Sequence, residues 1–316
     1  MTAPALSIIV VSYNTREMTL ECLRSIHAET KADFELIVID NASSDGSAEA
    51  IAAEFPDAVL MAETDNHGFA AANNIAAKRA RGEYVLLLNP DTLVLDAALD
   101  RLLAFARTHP QARIWGGRTL YGDRSLNPSS CWRRMSLWNI FCRTAGLTGV
   151  FPKSDLFNAE AYGGWDRSTE RQVDIVVGCM FLMTRADWEV LDGFDPAFVM
   201  YGEEADLCLR AQEQLNAAPR VTPEATIVHY GGASEKVRAD KMVRLMRAKT
   251  ELVRRHIPGW QRPLALALFH GWPLSRSLAF ALLNRLGLKK GTDSAATWRE
   301  VWARRAEWKA GSAAHV

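Results

Sequence analysis

Tyr84-Val-Leu-Leu-Leu88-Asn89-Pro90-Asp91-Thr92 is an apolar run that stops on a polar triplet. Five residues without a charge read as a strand buried on both faces, and Asn-Pro-Asp then ends it. A carboxylate just past a buried strand lies at the carboxyl edge of a sheet, where α/β folds hold their ligands. Alternate residues of an extended stretch face the same side, so Asn89 and Asp91 can address one ion or one pair of phosphates. The same triplet is also good turn chemistry, and the surrounding sequence decides between the readings.

Upstream, Leu6 to Val11 is a β-branched apolar run ending in Ser12-Tyr13-Asn14, followed by a helical pattern from Arg16 to His27. Phe34 to Ile39 is a second run, ending in Asp40-Asn-Ala-Ser-Ser-Asp45-Gly-Ser47, with a helix to Phe55 and a short strand at Val59 to Met61. Asp65-Asn66-His67-Gly68-Phe69 then leads into a helix expected to reach Arg81 and return to the strand at Tyr84. Strands alternating with helices of roughly 10–15 residues imply βαβ units and a mostly parallel sheet. Parallel strands point their carboxyl ends the same way. Asn14, Asp40, Asp45, Asn66 and Asp91 therefore converge on one crevice, which reads as a binding site.

These residues carry a family resemblance. Ser7-Ile-Ile-Val-Val-Ser-Tyr-Asn14, Val38-Ile-Asp-Asn-Ala-Ser-Ser-Asp-Gly-Ser47, Asn66-His-Gly-Phe-Ala70 with Asn73-Asn74, and Leu88-Asn-Pro-Asp91 resemble the family 2 glycosyltransferases, and within them the bacterial rhamnosyltransferase-like branch. The likeness continues through Gly178-Cys-Met-Phe-Leu-Met183, Gly193-Phe-Asp195, Tyr201-Gly-Glu-Glu-Ala-Asp-Leu207 and His229-Tyr-Gly-Gly-Ala-Ser234.

The resemblance implies an α/β fold of the GT-A type: a mixed, mostly parallel sheet flanked by helices, with a helical C-terminal extension. It divides the chain into a catalytic domain over residues 1–235, with a nucleotide-sugar-binding half (1–120) and an acceptor-binding half (121–235), and a basic amphipathic region over 236–316. It implies inverting transfer from a nucleoside-diphosphate sugar with Mg²⁺ or Mn²⁺. A divalent cation bridging two phosphates neutralises charge on the departing diphosphate, and both ions prefer oxygen ligands. Asp91 occupies the place of the family's main metal carboxylate, and His229 matches a histidine that reaches the same ion. Asn89 stands where the family usually has the first acid of Asp-x-Asp, and is at most a neutral oxygen donor. Asp40 matches the acceptor for the imino hydrogen of uracil or thymine. Ser12 and Asn14 lie where the first strand meets the nucleotide. Asp45 either touches the nucleotide or caps the next helix. Asn66, Gly68 and Asn73 match the loop and helix start that approach the sugar and diphosphate, where Gly68 lets backbone come close and N–H groups suit a phosphate.

Inversion needs a carboxylate near the acceptor hydroxyl and away from the metal. The family shows Glu-Asp with the second acid as base; this chain has Glu203-Glu204. Glu204 is the expected base and Glu203 the alternative. Asp206 then begins a helix expected over Leu207 to Leu215. The favoured donor is dTDP-L-rhamnose, with a UDP-linked hexose as alternative, and the acceptor a cell-surface glycan or lipid-linked saccharide. A binding protein that has lost catalysis is the reading from another class.

Composition agrees with a folded enzyme: 316 residues, 48% hydrophobic and 23% charged. Five cysteines without paired spacing suggest reduced thiols in a cytoplasmic protein, and Met1 to Ala5 is too short and uncharged for a signal peptide. Overall neutrality hides an asymmetry. Residues 236–316 hold 17 Lys and Arg against 5 Asp and Glu, a surplus of 12. The same segment carries Trp260, Trp272, Trp298, Trp302 and Trp308, and an apolar stretch, Leu264 to Leu283, broken by His270, Gly271, Pro273 and Arg276 and so expected to make a poor spanning helix. That profile predicts an amphipathic region on an anionic membrane, here the inner face of the plasma membrane. The alternative is a helical subdomain packing on the catalytic core or forming a homodimer. No nucleic acid is expected, because the motifs already assign the cleft. In the middle stretch, Asn127 to Gln172, the residues Trp132, Arg133, Arg134, Trp138, Tyr162 and Trp165 form a mixture suited to an acceptor or to ordinary core.

Overall fold

The computed structural model describes residues 3–231, 238–287 and 292–312. In chain order the first half runs β1 (Leu6–Ser12), α1 (Arg16–Glu29), β2 (Phe34–Asp40), α2 (Ser47–Glu54), β3 (Val59–Ala62), α3 (Gly68–Ala77), β4 (Tyr84–Leu88), β5 (Thr92–Val94) and α4 (Ala98–Thr108). There follow β6 (Ile114–Leu120), β7 (Leu126–Asn127), β8 (Cys131–Trp132), α5 (Leu137–Thr144), α6 (Leu147–Val150), β9 (Arg171–Gln172), β10 (Ile175–Val176), β11 (Met180–Thr184), α7 (Arg185–Val190), α8 (Glu203–Leu215) and β12 (Arg220–His229). The remaining helices are α9 (Arg238–His256), α10 (Arg262–Arg285), α11 (Thr292–Ala303) and α12 (Arg305–Lys309). α3 stops at Ala77, short of the expected Arg81, and α8 begins at Glu203, ahead of the expected Leu207.

Ten strands form one mixed sheet in the order β3-β2-β1-β4-β11-β6-β12-β5, with β7 beside β6 and β9 beside β12, and β8 and β10 form a separate antiparallel pair. β1 is parallel to β2 and β4, β2 to β3, and β6 to β12. β11 runs against β4 and β6, and β5 against β12. Both faces of the central strands are covered, which explains their unbroken apolar runs. Ile8, Val10, Leu86 and Leu88 pack in one cluster with Leu20, Leu23 and Ile26 of α1 and Leu99, Leu102 and Leu103 of α4. Their alternates Ile9, Ile37, Leu87 and Phe181 are equally buried. Register then places the site: Ser12 pairs with Asp40 and Val10 with Leu88, so the polar segments after β1, β2 and β4 leave the same edge.

Two compact units divide the chain. The first holds the sheet and spans Met1–Trp132, Asp166–Val199 and Glu203–Ser234; the second comprises Arg133–Trp165, Met200–Gly202 and Glu235–Val316. Residues 133–165, read from sequence as part of the acceptor half, thus group with the C-terminal helices. The cause is a shared core: Ile140 of α5 packs with Val243, Met246, Phe269, Trp272, Val301 and Trp308. Hydrogen bonds fix the seam, Thr144 Oγ1 donating to the Leu268 carbonyl at 3.0 Å and Ser275 Oγ to that of Thr144 at 2.8 Å.

Two expectations for the C-terminal region change. α10 is one continuous helix of 24 residues through Gly271 and Pro273, because buried Ala265, Phe269, Trp272 and Pro273 pin it to the core and packing overrides local propensity. By length and composition it is long and apolar enough to cross a membrane. Of the tryptophans, Trp272 and Trp308 are core residues and Trp298 and Trp302 pack partly against them; Trp260 is 82% exposed. In Arg133–Trp165, Arg133 lies over the ring of buried Tyr162, 4.6 Å from its centre. All five cysteines are buried thiols, and burial pushes Cys22 up to about 12.

Candidate active site

Many of the polar side chains at the sheet edge hold one another. Ser12 is fully buried, with its hydroxyl 3.0 Å from that of Thr19. The Asn14 N–H donates to Ser43 Oγ at 2.9 Å and its Oδ1 accepts the Ser44 N–H at 2.8 Å, tying the β1 and β2 loops together. Asp45 accepts the N–H of Arg16 at 2.9 Å and that of Ser47 at 3.1 Å, and so caps the starts of both α1 and α2. What desolvation Asp45 suffers raises its pKa, but these donors outweigh it and hold the carboxyl below the ordinary value.

The loop before α3 is similarly self-contained. Asn66 Oδ1 accepts from Asn41 Nδ2 at 3.0 Å and from the Gly68 N–H at 2.9 Å, while Asn41 Oδ1 accepts the His67 N–H at 2.9 Å. The Phe69 N–H donates to the Val199 carbonyl at 3.1 Å. The N–H groups of Gly68 and Phe69, the first two of α3, are therefore engaged within the chain. Asn73 is buried inside α3 and donates to the Phe69 carbonyl at 2.9 Å. Gly68 has φ 77°, and a Cβ there would stand 2.8 Å from the Val199 carbonyl oxygen, so backbone approach is its role. The sequence reading left two organisers out of the site. Asn41 is the hub of this loop, and Asn74 grips Phe194 from both sides, accepting its N–H at 2.9 Å and donating to its carbonyl at 2.7 Å. Their signal was slight: an amide beside a loop whose backbone groups need partners.

Against this background Asp40 Oδ1, Asn89 Oδ1 and Glu203 Oε2 are among the buried acceptor oxygens of the described residues that have no hydrogen-bond donor within the chain. An unsatisfied buried polar atom costs about 1–3 kcal/mol, so each asks for an external partner. Asp40 is 2% exposed, and its other oxygen is fixed by the Ser43 N–H at 3.0 Å. That leaves one oriented acceptor at the end of β2.

Asp91 and His229 meet next to Asn89. His229 Nε2 is 3.4 Å from Asp91 Oδ1 and 3.4 Å from Asn89 Nδ2, and the Gly231 N–H donates to Asp91 Oδ2 at 2.9 Å. Burial opposes the Asp91 charge, but His229 and the Gly231 N–H outweigh it and keep its carboxyl below the ordinary value. Burial likewise disfavours protonated His229, yet Cys179 and Asp91 beside it push its pKa up to about 10. A carboxylate, an orphaned amide oxygen and an imidazole that gives up its proton when the ion binds would make a donor set that fits a hard divalent cation alongside phosphate oxygens. Among the described residues no group of three or more His, Cys, Asp or Glu is gathered as a metal cluster.

Glu203, Glu204 and Asp206 all occupy the first turn of α8, where the helix dipole favours negative charge. Glu203 is buried; desolvation first, and then the charge of Glu204, raise its pKa well above the ordinary value. Glu204 is half-buried. Asp206 pairs with Arg210 at 2.6 Å, and that guanidinium also donates to the carbonyls of Leu191 and Gly193, each at 2.7 Å. Asp206 is thereby a tie between α8 and the Gly193 turn.

A mixed sheet of this order, with its carboxyl edge carrying these groups, is the GT-A arrangement, and the protein is a glycosyltransferase. The chain belongs to glycosyl transferase family 2, whose family model matches residues 7–187. It is 25% identical over 303 residues to an N-acetylglucosaminyl-diphospho-decaprenol L-rhamnosyltransferase of Mycobacterium tuberculosis, covering 90% of this chain and 94% of that protein. It is 26% identical over 247 residues to the O-antigen biosynthesis protein RfbC of Myxococcus xanthus; that stretch is 75% of this chain but spans only 18% of the relative's length. In fold it resembles the mannosyltransferase PcManGT from Pyrobaculum calidifontis in complex with GDP-Man and Mn²⁺, with a TM-score of 0.55 and 20% identity over 99% of this chain and 87% of that one.

Proposed function

We propose that the chain is an inverting, metal-dependent transferase that moves L-rhamnose from dTDP-L-rhamnose onto a cell-surface glycan or a lipid-linked saccharide. The observation that carries this reading is the Asp91–His229 pair at 3.4 Å beside the donorless Asn89 Oδ1. Rhamnose is favoured by likeness over 94% of the rhamnosyltransferase's length. A UDP-hexose is the alternative donor, since Asp40 Oδ1 suits the imino hydrogen of uracil and thymine equally.

Asp91, His229 and the Asn89 amide oxygen would hold Mg²⁺ or Mn²⁺. Bound there, the ion supplies positive charge against the departing diphosphate. Asp40 orients the base. Glu204 takes the proton of the acceptor hydroxyl as that oxygen attacks from the face opposite the leaving group. Glu203 suits this division of labour: neighbouring carboxyls in a buried setting do not both ionise readily, and burial first, then the charge of Glu204, hold Glu203 toward its neutral form.

A donor screen tests the reading. dTDP-L-rhamnose, UDP-glucose, UDP-N-acetylglucosamine and GDP-mannose are incubated with the enzyme and Mg²⁺ or Mn²⁺, and release of nucleoside diphosphate is scored. Turnover should be fastest with dTDP-L-rhamnose and stop with chelator. Nucleotide binding without turnover of any donor would overturn it in favour of a binding protein.

A further inference from the structure

α10 buries one face and leaves the other bare. Ala265, Phe269, Trp272 and Pro273 are in the core of the second unit, and Arg276 donates to the Arg143 carbonyl at 3.1 Å. On the opposite side Leu264, Leu278 and Leu282 are 55%, 63% and 58% exposed, and Leu274 and Leu286 are exposed as well. At 100° per residue these positions fall on one stripe along the helix. Trp260, in the turn that precedes the helix, is 82% exposed. A row of large apolar side chains along the C-terminal half of the helix, with Leu264 at its start, marks a docking surface. On α5, against which α10 packs, Trp138 and Phe141 are also exposed.

Charge chooses the occupant. From Trp260 to Lys290 the sequence has Arg262, Arg276, Arg285, Lys289 and Lys290, and no Asp or Glu. The surplus of 12 positive charges over residues 236–316 would set two copies of this region against each other, whereas it complements an anionic surface. A spanning arrangement would require α10 to abandon the core that holds its other face. An apolar stripe in a segment whose only charges are positive, with an exposed tryptophan just before the helix, is suited to the boundary between anionic lipid headgroups and acyl chains.

We infer that α10 docks the enzyme in the plane of an anionic phospholipid bilayer, with the leucine stripe and Trp260 inserted. The inference deepens the lipid-linked acceptor reading above by naming the surface on which that acceptor is met. It also moves the contact away from the basic residues of α9. Arg247 donates to the Gly311 carbonyl at 3.3 Å and Arg254 to those of Lys309 and Ala310, so these two hold the C-terminal residues in place, while Arg255 pairs with Glu251 at 2.8 Å within α9. Insertion of leucines is the primary contact and charge the secondary one.

Flotation of the full chain with vesicles tests this, using phosphatidylcholine alone and phosphatidylcholine mixed with phosphatidylglycerol. The protein should bind the anionic vesicles and retain part of that binding at high salt, since apolar insertion is not screened. Leu278→Glu with Leu282→Glu should weaken binding by at least about tenfold, because each change removes an exposed leucine that would insert into the bilayer and puts a charge in its place. Trp260→Ala should weaken it less. Hydrolysis of soluble nucleotide sugar is followed in every variant. Unchanged hydrolysis shows that the fold survives and tests the transferase reading independently of docking. Absence of binding by the intact chain, or full binding by the double variant, overturns the inference. So does a dimer of the intact chain that the double variant converts to monomer, which would assign the stripe to a second copy.

Discussion

His229 Nε2 stands 3.4 Å from Asp91 Oδ1, a contact made by strand pairing. β5 and β12 run antiparallel with His229 opposite Thr92, and the Tyr230 N–H donates to the Asp91 carbonyl at 3.0 Å. The carboxylate at the end of the Leu-Asn-Pro-Asp segment and a histidine from the far end of the domain are thereby fixed to one place. Asp91→Ala should abolish metal-dependent donor binding and transfer. Calorimetric titration with nucleoside diphosphate and Mn²⁺ checks it, alongside a thermal melt showing that the fold persists. Wild-type transfer by the variant would remove Asp91 from the metal site.

Glu204→Gln keeps the shape of the side chain and removes a proton acceptor. It should leave donor affinity near normal and lower the transfer rate by ~10²–10⁴-fold. Glu203→Gln should be milder, because burial and Glu204 already hold Glu203 toward its neutral form. Single-turnover rates with both variants decide it; the reverse ranking exchanges the two roles.

Gly68→Ala should destabilise the protein by roughly 1–3 kcal/mol, the cost of a side chain in a sparsely populated backbone region. The new Cβ would also lie 2.8 Å from the Val199 carbonyl oxygen, which accepts the Phe69 N–H. Urea unfolding measures the loss. An unchanged midpoint would mean that the loop relaxes without strain.

Glu160 lies buried between Arg143, at 2.7 Å, and Lys249. Burial raises its pKa, but the two cations outweigh burial and bring it down to about 2. The folded pKa is below the ordinary 4.5, so this stabilisation is present above 4.5 and is lost as pH falls toward about 2. Glu160→Gln leaves two cations without their partner and should cost about 3–5 kcal/mol at neutral pH. It should also flatten the acid side of the stability profile. Urea midpoints at several pH values test both; a variant as stable as wild type at pH 7 contradicts the assignment.

Strand runs and strand ends were legible in the amino-acid order. Leu6–Ser12, Phe34–Asp40 and Tyr84–Leu88 are buried on both faces, a condition that leaves an unbroken apolar signature. Parallel pairing then forces Asp40 and Asn89 to one edge, so the sequence by itself determined the parallel part of the sheet and the edge at which these polar groups gather. Tertiary structure alone decided which polar groups there remain available. Asp45, Asn66 and Asn73 carry the same motif letters as Asp40 and Asn89, yet their hydrogen bonds close within loops and helices, while Asp40 Oδ1 and Asn89 Oδ1 are left without donors. Likewise, a basic, tryptophan-bearing tail could not announce that Trp272 and Trp308 face inward and that Trp260 and the α10 leucines face out. Composition is a property of a segment. Exposure and hydrogen-bond satisfaction depend on neighbours brought from elsewhere in the chain, and those are known only once the packing is complete.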